Sequence, residues 1–442
     1  MKTLYSMLMT ILLFIAWPVA AMLAFFGRPT LLRRLVPPGD IPDDRVIRVW
    51  IHAASVGESN IAFATAKEIR KRKPGSLVFI STTTPTGLAR VMGLMRDSGG
   101  CVVERAFLAP FDHPIVVNAF LRNVRPTLFL LVETELWPSL LTGLARMHIP
   151  VAVINGKLGS RTFRRYRMFG GSLNSMSLNL AAVCVQSRTF ARRYLMLGVP
   201  PDRIEVLGNI KFDSLPDRSA FTQGAARHML GIADDVRLFV AGSVRPGEEE
   251  IIAAAFSEVL SRHPGSVMVI APRHLNRVPV VEGILAEAGL AHRKRSVPPD
   301  PESTPAAVII LDTIGELAGV FASADVAFVG GSLRDYGGHN PLEPAALGVP
   351  VLFGPFMQQT GAKQLLSGGA ALVVNDEKEL IETLSTLFDD TERRNLMAEA
   401  GPKVVSRFTG VLARTIRCLE TRGLLEIIDG NTPRQRRPHQ PE

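Results

Sequence analysis

Three cysteines in 442 residues, Cys101, Cys184 and Cys418, are too few and too far apart for a disulfide framework or a metal cage. A reducing compartment is the simpler expectation. The phosphate-binding patterns GxGxxG and GxxxxGK[ST] are missing, and so is GxSxG. A dinucleotide oxidoreductase, a P-loop ATPase and a serine hydrolase therefore lose their main supports. No HExxH, paired CxxC or DxD occurs, so no motif calls for a metal. Acidic residues are in deficit, 41 against 50 Lys and Arg, which gives a net charge of +9 and an isoelectric point near 9.8. An acidic partner follows from that excess, and nucleic acid, anionic lipid and a phosphorylated substrate all satisfy it.

What is present begins with an uncharged stretch, Thr3 to Gly27. As a helix it would be roughly 37 Å long, enough to cross a hydrocarbon core with tilt. Lys2 precedes it, whereas Arg28, Arg33 and Arg34 follow, a bias that places the bulk of the chain on the cytoplasmic side. The run is too long and its basic lead too slight for a cleaved signal peptide. An uncleaved anchor over residues 1–27 is expected, single-pass or lying partly in one leaflet because Pro18 interrupts it.

After a Pro-rich joint from Val36 to Asp44, apolar strands alternate with helices. Val46–His52, Leu77–Ile80, Leu128–Val132 and Val151–Ile154 each run into a loop of small or polar residues. A second series follows with Leu238–Ala241, Val267–Ile270, Val308–Leu311 and Ala324–Val329. Continuous apolar strands between helices predict parallel sheets covered on both faces, with ligand loops gathered at the carboxyl edges. The expected organisation is α/β: two facing Rossmann-like domains with a cleft between them, over residues 45–207 and 208–400. A C-terminal helix at 401–429 and a disordered Pro- and Arg-rich tail at 430–442 complete it.

The chain is most distinctive from Val329 to Pro355, where an apolar run ends in paired glycines before Asn340-Pro341 opens a short apolar segment. Asn is a preferred N-cap and Pro suits the first helical position, so a helix should start there with its free N–H groups facing the loop. Such an end suits an anion, and Glu343 could accept hydrogen bonds from a hydroxyl-rich ligand. An ordinary, well-capped βαβ unit has the same pattern.

Seven ordered segments resemble the 3-deoxy-D-manno-octulosonate (Kdo) transferases of Gram-negative envelope synthesis. They are His52–Glu58, Thr83–Gly87, Glu133–Pro138, Gly208–Asp213, Pro272–His274, Gly315–Leu317 and Phe328–Pro344. The resemblance implies the GT-B glycosyltransferase fold and an amino-terminal membrane anchor; with no metal motif, no metal cofactor is expected. It also implies CMP-Kdo as donor and a lipid A precursor as acceptor on the inner leaflet. Glu58 would be the general base that activates a sugar hydroxyl, with inversion at the donor carbon; without the resemblance it is a first-turn Glu complementing a helix dipole. Lys211 would stabilise the transition state with Glu133, or with Glu135 in its place, and Glu133 could equally be a loop-holding ion pair.

The same resemblance assigns the CMP contacts to Pro272 and Arg273, to Ile314, Gly315 and Glu316, and to Asn340, Pro341, Leu342 and Glu343. His274 is a capping or packing residue in the plainer reading. Arginines 161, 164, 165, 167, 188, 192 and 193, interleaved with Phe163, Tyr166 and Phe169, suit a bisphosphorylated lipid on an anionic leaflet, and no nucleic acid partner is expected. The family pattern fails at Val244-Arg245, where Thr-His is usual, at Phe356–Thr360, and before the first strand, where a basic segment is replaced by Pro37–Asp44. Two other classes stay open: a GT-B enzyme using another activated sugar, and a membrane-tethered protein that binds nucleotide or glycolipid without turnover.

Overall fold

The structure, a computed structural model, describes residues 9–11, 30, 32–39, 41, 47–168, 179–221, 224–298 and 306–426. It divides into two compact units, one formed by the chain up to Asp213 together with the segment from Gly410, the other by Ser214–Thr409.

The first unit is built on β1 (Arg48–Ala53), β2 (Leu77–Thr82), β3 (Arg105–Leu108), β4 (Leu128–Val132), β5 (Val151–Gly156), β6 (Leu180–Val185) and β7 (Ile204–Val206). All pairs are parallel, in the order β3-β2-β1-β4-β5-β6-β7. Every residue of β1, β4 and β5 is buried, which explains their continuous apolar sequence. Side chains still alternate between layers: Trp50 joins Phe79, Phe120 and Phe129 on one face, while Val49 and Ile51 join Ile61 and Ile69 on the other. Ile416 and Leu419 of the last helix, Val411–Thr421, close that second layer. Its first N–H groups, from Val411 and Leu412, are accepted by the Asp213 carboxylate at 3.0 and 2.5 Å. The segment Gly208–Asp213 thus sits with the first unit, whereas residues 208–400 were expected in the second. Cys184 and Cys418 come together here as buried free thiols 3.5 Å apart.

The second unit repeats the plan with β8 (Leu238–Val244), β9 (Val267–Pro272), β10 (His292–Lys294), β11 (Val308–Ile310), β12 (Val326–Val329), β13 (Val351–Phe353) and β14 (Ala371–Val373). Their order is β10-β11-β9-β8-β12-β13-β14, again all parallel. The winding reverses between β1 and β4 in the first sheet and between β8 and β12 in the second. Ligands of open α/β sheets bind outside the carboxyl ends of strands at such a reversal.

Two expectations fall largely outside the described residues: the anchor over 1–27, of which Met9–Ile11 alone are described, and the tail over 430–442. Among the described residues no helix is long and apolar enough to cross a membrane. The Pro-rich joint is pinned at its described positions. Leu35 and Ile41 enter the first core, Arg34 Nε donates to the Ala109 carbonyl at 3.0 Å, and Arg125 Nη2 donates to that of Ile41 at 3.3 Å.

Candidate active site

At the reversal of the first sheet, β1 ends in Ala53 and the chain turns through Ala54-Ser55 into the helix Val56–Arg72. Ser55 is the N-cap, and Glu58 folds back to it: Ala54 N–H donates to Glu58 Oε2 at 2.8 Å and the Ser55 hydroxyl to Oε1 at 2.9 Å. Ser-x-x-Glu is a capping box, so Glu58 fulfils the plainer helix-start reading and is held in one orientation by it. Burial raises its carboxyl above the usual range, the bonds from Ala54 and Ser55 oppose that, and the nearby charges of Glu133 and Glu135 add to it.

The loop after β4 brings the other two carboxylates. Glu133 has a left-handed backbone, φ 62°, unfavourable for a side chain with a Cβ. Two tyrosines over-determine the loop. Tyr194 donates to the Glu133 carbonyl at 3.3 Å, while Tyr166 donates to the Thr134 carbonyl at 2.8 Å and accepts from Leu136 N–H at 3.2 Å. Glu133 Oε1 lies 3.8 Å from Lys211 Nζ. Lys211 also borders Gly57, where a Cβ would stand 3.6 Å from Nζ, so it reaches the turn that carries Glu58. Its own position is set from below: buried Asn155, at φ 52°, accepts Ile210 N–H at 2.9 Å, and Asn209 Oδ1 accepts Lys211 N–H at 3.1 Å.

Glu135 is the hub of a separate chain of bonds. Trp50 can only donate, so its Nε1–H to Ser81 Oγ, 2.8 Å, turns the Ser81 hydroxyl toward His52 Nδ1, 2.9 Å away. His52 then carries its proton on Nε2, 3.2 Å from Glu135 Oε2, which also accepts from Thr83 and Trp137 at 3.0 Å each. Burial alone would raise the Glu135 carboxyl, but the interactions with His52, Trp137 and Thr83 outweigh it and hold the group below its ordinary value. One carboxylate pushed up beside one held down is the pattern that separates a proton acceptor from a fixed anion.

In the second unit, a cleft of about 750 Å³ opens at the ends of β8, β9 and β11. Pro272, Arg273, Ile314 and Gly315 line it, with Ser243 and His274. Ile314 is 87% exposed, an apolar face at the mouth. Glu316 is not among the lining residues; its carboxylate takes Arg295 at 3.3 Å and the Thr313 hydroxyl. Asn340–Glu343 follow the β12 loop and lie outside the lining too. The helix expected at Pro341 is only Leu342–Ala346, with Pro341 at its N-cap position. Asn340 still satisfies it, accepting Leu342 N–H at 3.1 Å while its amide donates to Glu343 Oε1 at 3.2 Å. Burial raises the Glu343 carboxyl and that Asn340 bond opposes it, whereas the Leu342 side chain is wholly buried and offers only backbone.

Sequence patterns give no hint of Glu248. It is fully buried, and its carboxylate accepts from Arg245, Gly331, Ser332 and Leu333 N–H groups at 2.9, 2.6, 2.8 and 2.8 Å. One side chain thus ties the β8 loop to the glycine loop after β12. Gly330 lets the two loops close: a Cβ there would lie 2.5 Å from the Ser243 carbonyl oxygen and 2.7 Å from Val244 Cα. Gly330→Ala is expected to cost about 2–3 kcal/mol, read as a lower denaturation midpoint at unchanged m-value.

The basic helices divide cleanly. Phe163 and Tyr166 of Ser160–Met168 enter the core, leaving arginines 161, 164, 165 and 167 exposed beside an exposed Met168. Arg188 and Arg192 are exposed on the helix Arg188–Met196, whereas Arg193 is half-buried and donates to the Leu158 carbonyl. Phe169 lies outside the described residues.

Residues 27–214 match the family model described as 3-deoxy-D-manno-octulosonic-acid transferase (kdotransferase). The 3-deoxy-D-manno-octulosonic acid transferase of Haemophilus influenzae is 32% identical over 375 residues, 84% of this chain and 86% of that one. The enzyme of the same name from Bordetella pertussis is 30% identical over 381 residues, with the same two coverages. Among solved structures, a glycosyltransferase from Rickettsia africae superposes with a TM-score of 0.57 over 86% of this chain and 99% of its own, at 12% identity, a likeness of fold.

Proposed function

The chain belongs to the Kdo transferase family and has an α/β GT-B glycosyltransferase fold, and from that premise we propose that it moves Kdo from CMP-Kdo to a hydroxyl of a lipid A precursor. The observation that carries the proposal is the grouping at the first sheet's reversal: Glu58 with a raised carboxyl, Lys211 beside its turn, and Glu133 against Lys211. A sugar hydroxyl is a poor nucleophile near neutral pH, whereas the donor carbon already carries a good leaving group. A positioned base is therefore the missing component, and Glu58 supplies it. The acceptor oxygen bonds to the anomeric carbon, its proton passes to Glu58, and the bond to phosphate breaks with the electron pair leaving on CMP. A single displacement of this kind inverts the anomeric centre. Lys211 meets the negative charge of the departing phosphate or of the donor carboxylate, and Glu133 orients it.

The second unit takes the donor. Pro272, Arg273, Ile314 and Gly315 border the nucleoside, and Asn340–Glu343 offer Glu343 to its hydroxyls. Glu316, which the resemblance assigns to CMP as well, has Arg295 as its ion-pair partner. The exposed arginines of Ser160–Met168 and Arg188–Met196 attract the acceptor's phosphates and an anionic leaflet, at roughly 1 kcal/mol per basic side chain near the surface. Together with the uncharged Thr3–Gly27 stretch they favour a location at the cytoplasmic face of the inner membrane.

Purified protein with CMP-Kdo and a tetraacylated lipid A precursor should release CMP and add Kdo mass to the lipid. Release from a UDP-sugar but not from CMP-Kdo would instead support the reading in which the altered 244–245 and 356–360 segments serve another donor. Lys211→Ala should lower kcat by about 10²–10³-fold. An unaltered kcat would remove Lys211 from the mechanism.

A further inference from the structure

Beneath the last helix, two thiols from distant parts of the chain meet at the edge of the first sheet. Cys184 lies on β6, opposite Glu205 of the outermost strand β7, and Cys418 comes from the helix Val411–Thr421. Their sulfurs are 3.5 Å apart, Cys184 donating to Cys418, and the Cys418 thiol in turn donates to Glu205 Oε1 at 3.2 Å. Arg422, which closes that helix, pairs with the same oxygen at 3.0 Å and donates to the Asp202 carbonyl at 2.8 Å. The bond from Cys184, with help from Arg422, holds the Cys418 thiol below its ordinary value against burial and Glu205. The bond to Cys418 and burial push Cys184 up. One sulfur is thus prepared to ionise while the other keeps its proton.

Thiols packed in a core are inert as a rule, and both of these are buried. Their surroundings differ from a core in one respect: the Glu205 side chain is 40% exposed and Arg422 is half-buried. Water and small polar solutes therefore reach the carboxylate that holds the Cys418 proton. The helix that carries Cys418 is also the bed of the segment that carries Lys211. Asp213 caps its first turn, Arg414 Nη2 donates to the Leu207 carbonyl at 3.1 Å, and a Cβ on Gly208 would stand 3.1 Å from Val411 Cγ2. Whatever fixes this helix to β6 fixes that bed.

We propose that Cys184 and Cys418 form a reversible oxidation site, a dithiol that a hydroperoxide closes to a disulfide and a thiol reductant reopens. The Cys418 sulfur attacks one peroxide oxygen and the O–O bond breaks. The departing hydroxide takes the Cys418 proton by way of Glu205 and leaves as water, with a sulfenic acid on Cys418. The Cys184 sulfur then attacks that sulfur, the S–O bond breaks, and the second hydroxide leaves as water with the Cys184 proton. Two thiols are oxidised and one peroxide is reduced. Bond formation draws the sulfurs together by roughly 1.5 Å, and the last helix is latched to β6. A reducing compartment keeps the latch open and an oxidant closes it. The inference stands apart from the donor and acceptor proposed above.

The test uses the full chain with Cys101→Ser, which removes the exposed third thiol. After treatment of the folded protein with hydrogen peroxide, non-reducing peptide mapping should show the Cys184 peptide joined to the Cys418 peptide. Dithiothreitol should separate them again. The oxidised protein should have a thermal midpoint about 4–8 °C higher than the reduced one, because the bond closes a long loop. Adding Cys184→Ser should stop the reaction at a Cys418 sulfenic acid, trapped by dimedone; should that variant misfold, Cys184→Ala gives the same trap. Arg422→Met should slow bridging by roughly 10-fold with the same end product. The proposal is overturned if both thiols survive peroxide in the folded protein, if they bridge only in urea, if Arg422→Met bridges at the unaltered rate, or if the bridge forms without raising the midpoint.

Discussion

Glu58→Gln should reduce kcat for Kdo transfer by about 10²–10⁴-fold while CMP affinity stays within twofold, roughly the precision of the measurement. The substitution separates two roles that the structure superimposes. As the third residue of the helix Val56–Arg72, Glu58 closes a capping box on Ser55 and Ala54, and glutamine serves there as well as glutamate. What glutamine cannot do is take a proton. Glu58→Ala would remove both roles and add a cap loss of about 1 kcal/mol, so the glutamine variant is the cleaner probe.

The raised Glu58 carboxyl makes two further commitments. In wild type, kcat/KM should fall on the acid side with an apparent pKa above the ordinary carboxylate range, and the glutamine variant should lose that limb. The sign for stability is the reverse of the usual salt-bridged acid. A folded pKa above the unfolded value means that the native state binds the proton more tightly, so the ionised form costs stability above the folded pKa. That cost disappears as the pH drops through the folded pKa. Glu58→Gln should thus have a thermal midpoint equal to or above wild type at neutral pH, with the gap closing toward acid.

Glu248→Ala should destabilise the protein by about 3–5 kcal/mol, at the upper end for single substitutions. The cause is specific: a fully buried carboxylate accepting four backbone N–H groups is removed, and three of the orphaned donors lie in consecutive residues, Gly331–Leu333. Glu248→Gln offers one acceptor oxygen in place of two and faces its amide against N–H donors, so it should recover little. Chemical denaturation gives the stability change directly. A second readout separates this from a general loss of packing: CMP affinity should fall in a variant still folded at low temperature, because the β8 and β12 loops are no longer tied. A Glu248→Ala protein with unchanged midpoint and CMP affinity would contradict the account.

Most central strands could be read from sequence because they are buried on both faces and therefore apolar at nearly every position, as in Leu128–Val132, although Leu180–Val185, equally apolar, was not among those expected. The edge strands could not: β10 reads His292-Arg293-Lys294, and β7 is three residues with Glu205 at its centre. Little burial leaves little hydrophobic signal. The placement of the last helix escaped for another reason, since Val411–Thr421 returns to the first unit through Asp213, a contact of long sequence separation.

In the site, Glu58, Lys211 and Arg273 were singled out through the family resemblance. Residues that hold them in place were not. Asn155, Tyr166, Tyr194 and Glu248 act through hydrogen bonds to backbone across loops, and no local pattern marks such bonds. One signal stood in the open: Ser55-Val56-Gly57-Glu58 has capping-box spacing, which fixes how the Glu58 carboxylate is turned.

The account stands on direct displacement at the donor carbon, assisted by Glu58. The most direct measurement is carbon nuclear magnetic resonance of the glycolipid product made by wild type from CMP-Kdo labelled at the anomeric carbon. The account predicts a single Kdo-lipid species of anomeric configuration opposite to that of the donor. A product with retained configuration, or CMP release without any labelled glycolipid, would contradict it.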